Sequence, residues 1–301
     1  MLPAVLYKWL KMKEFTIKAN DGLDLSVALF ETEEPLAIIQ MIHGMKEHKE
    51  RYYNFIHFLN NIGFSVIISD NRGHGKSLND EYPLGHMEGC EQIIDDQYLI
   101  TQYVKEKYPK KKLYLFGHSF GSLLARCYLQ QHDDEIDKLI LSGTVGYIKF
   151  INSGKRLGMI LSFFGGDDGH SRILQKAVDG DDDTWICSNP EVMEAYRNDK
   201  LCSGYKYTNG ANVTVIEGVT QLHDYARYQC KNPDLKILSI SGEDDPVTKG
   251  EEGLEDSMES LKKIGYKNIT KIVYPKMKHE VLNEIEKEKV YEDVKSFLLE
   301  Y

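Results

Sequence analysis

The chain has 301 residues, of which 42% are hydrophobic and 28% are charged, a balance typical of a globular protein with a sizeable core. Its formal net charge of −10 argues against nucleic-acid binding, since a phosphate backbone requires clustered lysine and arginine. The five cysteines are scattered and form no CxxC pair. This spacing predicts reduced thiols in the cytoplasm rather than a disulfide framework or a zinc site.

The first eleven residues, 1–11, are weakly apolar and are interpreted as an extension in front of the folded core. Lys8 interrupts this stretch, which is too short to span a bilayer and has no small-residue cleavage site. Secretion is therefore not expected.

Short apolar runs then alternate with segments of helical periodicity. Strands are predicted at 13–20, 23–30, 36–44, 64–70, 112–119, 137–143, 235–242 and 270–275, with a turn at Asp21-Gly22 between the first two. Helices are predicted at 48–63, 89–109, 119–132, 250–265 and 279–301. This alternation predicts an α/β fold with a mostly parallel sheet and helices on both faces. In such sheets, ligands bind beyond the carboxyl ends of the strands.

Residues 145–228 interrupt this alternation. A structureless loop of that length is implausible inside a compact domain, so the segment is predicted to be an inserted lid subdomain above the carboxyl edge of the sheet. The chain then divides into a first core part at 1–144, the lid at 145–228 and a second core part at 229–301.

The sequence Gly-His-Ser-Phe-Gly places Ser119 between a predicted strand and a predicted helix. A nucleophilic serine on a strand-to-helix turn requires this context, and glycines on both sides allow so tight a turn. The alternative is that Ser119 only caps the helix that follows it.

A serine hydroxyl needs a base, and the base needs an orienting acid; in α/β-hydrolases the three follow in the order serine, acid, histidine. Asp245 follows a predicted strand and is the preferred acid, with the adjacent Asp244 as its rival. The same acidic cluster is also compatible with a simple Asp- and Gly-rich turn. His279 is the last histidine of the chain and the sole one after Asp245, which makes it the candidate base, unless it is a solvent-facing residue at a helix start.

Negative charge that develops on a carbonyl oxygen must be met by fixed donors, usually two backbone N–H groups. One is expected from Phe120, directly after the candidate nucleophile. The other is expected from Met45, in the loop that follows the strand ending in His43-Gly44.

The motifs GHSFG, HGMKEH, DNRGHGKS, SGEDDPV and MKHEVLNE, in this order, resemble those of the monoacylglycerol lipases and bacterial lysophospholipase-like serine hydrolases of the α/β-hydrolase superfamily. The phrase SNPEVMEAYRNDKLCSG resembles the lid segment of that group. The resemblance, which extends from about Met12 to the end, implies a triad of Ser119, Asp245 and His279 with an oxyanion hole formed by Met45 and Phe120. It also implies that Gly73 and Gly75 shape a turn, with no catalytic role for His74.

Two further features lie in the predicted lid. Its acidic clusters, Asp167-Asp168 and 179–183, lack the ordered spacing of a calcium loop and are interpreted as a solvated surface. Its apolar stretch, residues 156–166, is predicted either to line an acyl-chain tunnel through Met159 and Phe163, to touch a lipid surface, or simply to pack the lid onto the core.

These observations predict hydrolysis of carboxylic esters through an acyl-enzyme, with no metal and no organic cofactor. The resemblance implies small-molecule acyl esters, monoacylglycerols or lysophospholipids, as substrates. Two alternatives remain open: another activity of the same fold (short-chain esterase, thioesterase or proline-type aminopeptidase), or an inactive hydrolase fold that serves as a binding module.

Overall fold

The computed structural model describes residues 11–146, 151–180 and 182–300; most of the predicted N-terminal extension lies outside this range. The described residues form an eight-stranded sheet. Its strands are β1 (Lys11–Lys18), β2 (Asp24–Glu31), β3 (Ile38–Ile42), β4 (Ser65–Ser69), β5 (Leu113–His118), β6 (Lys138–Ser142), β7 (Lys236–Gly242) and β8 (Asn268–Tyr274).

The α-helices in the described part of the chain lie between and after these strands. They are α1 (Tyr53–Asn61), α2 (Cys90–Lys107), α3 (Phe120–His132), α4 (Ile151–Gly165), α5 (Arg172–Asp179), α6 (Pro190–Asn198), α7 (Asn209–Gln221), α8 (Gly250–Ile264) and α9 (Lys287–Leu299).

The strand order in the sheet is β1-β2-β4-β3-β5-β6-β7-β8. The pairs β1–β2 and β2–β4 are antiparallel, and all the others are parallel. The central strands are buried along their whole length because helices cover both faces. Alternate residues of one strand therefore belong to different cores: Leu115 belongs to a cluster with residues of α2, α3 and α8, and Phe116 to a cluster with residues of α1 and α9.

The alternation of strands and helices predicted from the sequence is confirmed, with one clear error at the last helix. A helix was expected from residue 279, but α9 begins at Lys287. Instead, the N–H groups of His279 and Glu280 donate to the carbonyls of Trp185 and Ile186, from the segment between β6 and β7. These tertiary hydrogen bonds hold residues 279–286 outside a helix, which local periodicity cannot reveal.

The predicted triad residues and Met45 follow the carboxyl ends of parallel strands. Met45 follows β3, Ser119 follows β5, Asp245 follows β7 and His279 follows β8. The segment between β6 and β7 contains α4 to α7, and α7 packs against α3 and α2 of the core. Its helices therefore lie beside the edge at which ligands bind in sheets of this kind.

Candidate active site

Ser119 occupies a strained turn between β5 and α3. Its φ of 53° and ψ of −119° lie in a region that residues with a side chain rarely adopt. A Cβ atom on Gly117 would lie 2.2 Å from the carbonyl oxygen of Gly121, and one on Gly121 would lie 2.1 Å from that of Ile42. Both contacts are with backbone, so only glycine fits on either side of this serine.

Asp245 and His279 form a buried pair across the ends of β7 and β8. Oδ2 of Asp245 lies 2.8 Å from Nδ1 of His279, and the other carboxylate oxygen accepts from the Val247 N–H at 2.8 Å. The neighbouring Asp244 is exposed. Of the two candidate acids, Asp245 is therefore the one in contact with the imidazole.

The hydrogen bond to Asp245 determines which nitrogen of His279 is free to accept a proton. A carboxylate accepts, so Nδ1 carries the hydrogen in this pair and Nε2 is left with its lone pair. Nε2 is buried and has no hydrogen-bond partner within the described residues, Ser119 included. The imidazole lies against Gly143, where a Cβ atom would be 2.7 Å from Cε1.

His279 differs from the other buried histidines around it in its protonation. Burial disfavours its charged form, but the charge and hydrogen bond of Asp245 outweigh burial, so the pKa of His279 lies above its ordinary value. Burial instead lowers the pKa of His43 and of His118 to about 3, and that of His74 to about 4. His279 is thus the one of these four that is suited to take up a proton near neutral pH.

Two backbone N–H groups beside Ser119 are left available. Phe120 begins α3, where the first amides of a helix have no intrahelical acceptor. In the loop after β3, the Gly44 N–H donates to the Glu47 carboxylate and the Lys46 N–H donates to the Tyr207 hydroxyl. Within the described residues, no hydrogen bond uses the N–H of Met45 or of Phe120. These are the two donors predicted for an oxyanion.

A cavity of about 340 Å³ contains Ser119 and His279. Its wall is mostly apolar and comes from both the core and the segment between β6 and β7, whereas a few charged side chains lie among the lining residues. Apolar lining residues include Leu123, Val145, Ile186, Val215, Ile216 and Val219, and charged ones include Lys46, Asp179 and Lys249. A pocket of this kind suits an apolar ligand with one polar end.

Residues 33–286 match the family model described as "Serine aminopeptidase, S33". This match covers most of the chain. The chain belongs to this family. It is 23% identical over 274 residues to a monoacylglycerol lipase of Mycolicibacterium smegmatis, across 89% of this chain and 90% of that relative. It is also 26% identical over 137 residues to a lysophospholipase of Escherichia coli, across 44% of this chain and 40% of that relative.

The fold of this chain is also similar to that of a solved structure over nearly its whole length. The crystal structure of a thermostable carboxyl esterase from Bacillus coagulans matches with a TM-score of 0.85 at 24% sequence identity, covering 96% of this chain and 98% of that one. Together with the sheet described above, this likeness confirms the α/β-hydrolase fold predicted from the sequence. The predicted resemblance to the monoacylglycerol lipase and lysophospholipase group is likewise confirmed.

In the present chain, Met159 and Phe163, which were predicted to line an acyl tunnel, do not reach the cavity. Met159 is 55% exposed and Phe163 is 83% exposed, and neither is among the residues that line the cavity. Among the described side chains of α4, Gly154 is the residue that lines the cavity. The amphipathic helix thus turns these two larger side chains towards solvent, an orientation that the sequence left open.

The metal-ligating atoms of His48, Asp199 and Cys202 lie within 4.8 Å of one another, the one such group of three found in the described residues. A hydrogen bond of 2.8 Å joins His48 Nε2 to Asp199 Oδ2, and the Cys202 N–H donates to the Asp199 carbonyl at 3.1 Å, so these contacts account for the proximity. Burial raises the pKa of the Cys202 thiol, which keeps it protonated and a poor metal ligand. In the acidic stretches predicted to be a solvated surface, Asp179 pairs with Lys46 and Asp183 pairs with Arg197.

A buried charge network beside the site was not predicted. Arg51 donates to both carboxylate oxygens of Glu280, at 2.6 and 2.8 Å, and to Glu47 at 3.0 Å. Glu280 directly follows His279, and Glu47 holds the Gly44 N–H, so the network links the loop after β3 to the loop after β8. The spacing of Glu47 and Arg51, four residues apart with opposite charge, was a usable signal for one contact. Nothing local indicated Glu280, which lies 229 residues after Arg51.

The turn after β4 has the architectural role expected for its glycines. Gly73 has a φ of 71° and Gly75 a φ of 51°, and a Cβ atom on Gly75 would lie 2.2 Å from Cγ of the buried Asp70. His74, between them, is fully buried and its Nε2 contacts the Tyr207 hydroxyl. It is not among the residues that line the cavity.

Proposed function

We propose that this protein hydrolyses carboxylic esters of lipids through an acyl-enzyme, with Ser119 as nucleophile, His279 as base and Asp245 as orienting acid. The observation that carries the proposal is that Ser119, on its strained turn, shares a cavity with a histidine whose pKa Asp245 raises. A serine, a base and a fixed acid in one cavity are the requirements of acyl transfer.

The reaction follows from the roles of these groups. His279 Nε2 takes the proton of the Ser119 hydroxyl as the serine oxygen attacks the ester carbonyl. The N–H groups of Met45 and Phe120 stabilise the oxyanion of the tetrahedral intermediate, and Asp245 stabilises the imidazolium. The alcohol leaves with the proton from His279, and water activated by the same histidine then releases the acid.

The favoured substrates are monoacylglycerols or lysophospholipids. The apolar wall of the cavity suits an acyl chain, and two relatives of this chain are a monoacylglycerol lipase and a lysophospholipase. The charged residues Lys46, Asp179 and Lys249 offer polar contacts to an alcohol head group.

The family description raises aminopeptidase activity as a second candidate. Such an enzyme must recognise the charged α-amino group of its substrate, which requires a carboxylate that is free to pair with it. Among the described residues that line the cavity, every carboxylate already has a cation: Glu47 and Glu280 pair with Arg51, and Asp179 pairs with Lys46. This arrangement favours ester substrates without a charged amino group.

A fluorophosphonate probe tests the catalytic proposal, because it reacts covalently with activated serines. Wild-type protein and the surface variant Ser296→Ala should be labelled equally, whereas Ser119→Ala should not be labelled. Peptide mapping should place the label on Ser119. A panel of monoacylglycerols, lysophospholipids, short p-nitrophenyl esters and amino-acid amides then assigns the substrate class. Absence of labelling in the wild type would favour the inactive binding module.

We also propose that residues 145–228 act as a lid that touches lipid surfaces. On α4, the exposed Met159 and Phe163 share one helix face with the exposed Arg156, which precedes them by three and seven positions. On α5, the exposed Ile173 directly follows the exposed Arg172. Such a face combines burial in the acyl region with attraction to anionic head groups. Within the described residues, no helix has the length and apolar character needed to cross a membrane.

Vesicle binding tests this lid contact. Met159→Gln with Phe163→Gln should weaken binding to vesicles containing phosphatidylglycerol and slow hydrolysis of a vesicle-borne substrate. Cleavage of a dissolved short ester should not change. The control is Ile285→Gln, which removes a side chain that is 67% exposed but belongs to the core part of the chain. Equal effects of both changes would contradict a specific lid contact.

We infer a cytoplasmic location from the thiols. All five cysteines are free, and four of them are buried. Unpaired cysteines in such number fit a reducing compartment. Fractionation of cells that produce the tagged protein tests this inference.

A further inference from the structure

We propose that Tyr207, in the segment between β6 and β7, is a positioning residue for the oxyanion hole. This proposal rests on the proposed function, because it assigns Tyr207 the task of orienting the N–H of Met45. Tyr207 is fully buried and precedes helix α7. Its hydroxyl lies between the N–H of Lys46, at 3.0 Å, and the ring of His74.

The tautomer of His74 determines the direction of these hydrogen bonds. Nδ1 of His74 lies 3.0 Å from the carbonyl oxygen of Arg72, and a carbonyl can only accept. Nδ1 therefore carries the hydrogen and Nε2 carries the lone pair. Burial lowers the pKa of His74 to about 4, which keeps the ring neutral. The Tyr207 hydroxyl consequently donates to His74 Nε2 and presents its own lone pairs to the Lys46 N–H.

The hydrogen bond to Lys46 acts on a backbone that is not relaxed. Lys46 has a φ of 51°, in the left-handed region that residues with a Cβ atom rarely adopt. Such a conformation persists only when its surroundings hold it. Glu47 holds the N–H of Gly44 on one side of Met45, and Tyr207 holds the N–H of Lys46 on the other. The peptide groups on both sides of Met45 are thereby held, which fixes the backbone that carries the Met45 N–H.

Tyr207 is itself fixed by its neighbours. Its carbonyl oxygen accepts from His170 Nδ1 at 2.9 Å, and the next residue, Thr208, donates its N–H to the Gly85 carbonyl at 3.1 Å. The ring packs edge-on against His74, with 5.5 Å between ring centroids. The hydroxyl is thus held in place before any substrate binds, as pre-organised stabilisation of an oxyanion requires.

The consequence is a direct link between the segment above the sheet and the reaction. The Met45 donor belongs to the core, but one of the two hydrogen bonds that flank it comes from residues 145–228. A displacement of this segment at Tyr207 would misalign the donor even where Ser119, Asp245 and His279 stay in place.

Tyr207→Phe tests the proposal, with Tyr205→Phe as the matched control. The hydroxyl of Tyr205 is also buried but has no hydrogen-bond partner within the described residues. Tyr207→Phe should lower kcat by roughly tenfold to a hundredfold, since a small misplacement of a catalytic donor has an effect of this order. KM should stay within about twofold, because ground-state binding is not affected. Tyr205→Phe should leave both constants unchanged.

Binding of a boronic acid separates positioning from a general structural role. The boronate adduct of Ser119 resembles the tetrahedral intermediate, so its affinity should fall in parallel with kcat in Tyr207→Phe. The affinity for the fatty-acid product should not fall. If Tyr207→Phe does not fold, 3,5-difluorotyrosine at position 207 preserves the shape and weakens the acceptor. It should then lower kcat, whereas the same residue at position 205 should not.

Several outcomes would overturn the proposal. Wild-type kcat and boronate affinity in Tyr207→Phe would show that the hydroxyl does not position the donor. A rise in KM together with lost thermal stability, at unchanged boronate affinity, would show a merely structural role. A wild-type protein that neither turns over esters nor reacts with fluorophosphonate would instead refute the proposed function, and this inference with it.

Discussion

Nδ1 of His279 lies 2.8 Å from Oδ2 of Asp245, and both side chains are almost completely buried. The two residues are 34 positions apart and follow neighbouring parallel strands, β7 and β8. The carboxylate therefore holds one tautomer and one orientation of the ring, Nε2 keeps its lone pair, and the residue lines the same cavity as Ser119.

Replacement of the acid should abolish most of the activity. Asp245→Asn should lower kcat by about 10⁴, because the amide no longer selects the tautomer that exposes the Nε2 lone pair. The neighbouring Asp244 is exposed, so Asp244→Asn should leave kcat unchanged. Steady-state kinetics on one p-nitrophenyl ester compares the two variants. A larger loss of kcat in Asp244→Asn than in Asp245→Asn would show that Asp244, and not Asp245, is the orienting acid.

The pH dependence should report the raised pKa of His279. A protonated imidazole cannot accept the serine proton, so the rate of fluorophosphonate labelling should be lost as the pH falls through this pKa. The midpoint should lie above about 6.5, the ordinary value for histidine, because Asp245 favours the charged form. Labelling rates measured across the pH range, with circular dichroism as a check on folding, give the midpoint. A midpoint below the ordinary value would mean that burial outweighs the carboxylate.

The buried charge network should contribute strongly to stability. Arg51→Met leaves the carboxylates of Glu47 and Glu280 buried without their cation and should reduce the free energy of unfolding by about 3–5 kcal/mol. Arg197 makes a similar two-pronged contact with Asp183, but its side chain is 53% exposed against 11% for Arg51. Arg197→Met should therefore cost much less stability than Arg51→Met.

Urea unfolding of both variants measures these differences. Equal losses of stability in the two variants would show that burial does not control the contribution of these arginines.

Chain-length preference should respond to Gly154 rather than to the larger residues of α4. A Cβ atom on Gly154 meets no heavy atom of the described residues within 4 Å, and this glycine lines the cavity. Gly154→Phe should fill part of the acyl space and shift kcat/KM towards shorter esters, without loss of helix propensity. Phe163→Ala, on the exposed face, should leave the profile unchanged. The chain-length profile of kcat/KM is measured for both variants with a series of p-nitrophenyl esters. A shift in Phe163→Ala but not in Gly154→Phe would show that Phe163 lines the acyl tunnel.

Most strands and helices of the fold could be predicted from local sequence patterns. Buried strands appear as continuous apolar runs because helices cover both faces of the sheet, and helices appear through their periodicity. The last helix shows the limit of this information. Residues 279–286 remain outside α9 because their backbone bonds to Trp185 and Ile186, and no local pattern contains a partner so distant.

The same limit applies to the site. The glycines around Ser119 mark the strained turn because their effect is local. Asp244 and Asp245 are adjacent and chemically identical, so only the direction of the chain after β7 decides which one contacts His279. The outward orientation of Met159 and Phe163 depends on how α4 packs, since the helix presents apolar residues on more than one face.

The sequence by itself indicated the α/β class and the tight serine turn, because the alternation of strands and helices and the glycines around Ser119 are local signals. The order of the motifs and the family resemblance they carry added the hydrolase class and the candidate residues of the site. The tertiary structure decided which acid faces the histidine, which helix residues reach the cavity, and the contacts of Arg51 with Glu280 and of Tyr207 with Lys46. Those contacts join residues far apart in the chain, and they form only once the packed sheet brings the loops together at one edge.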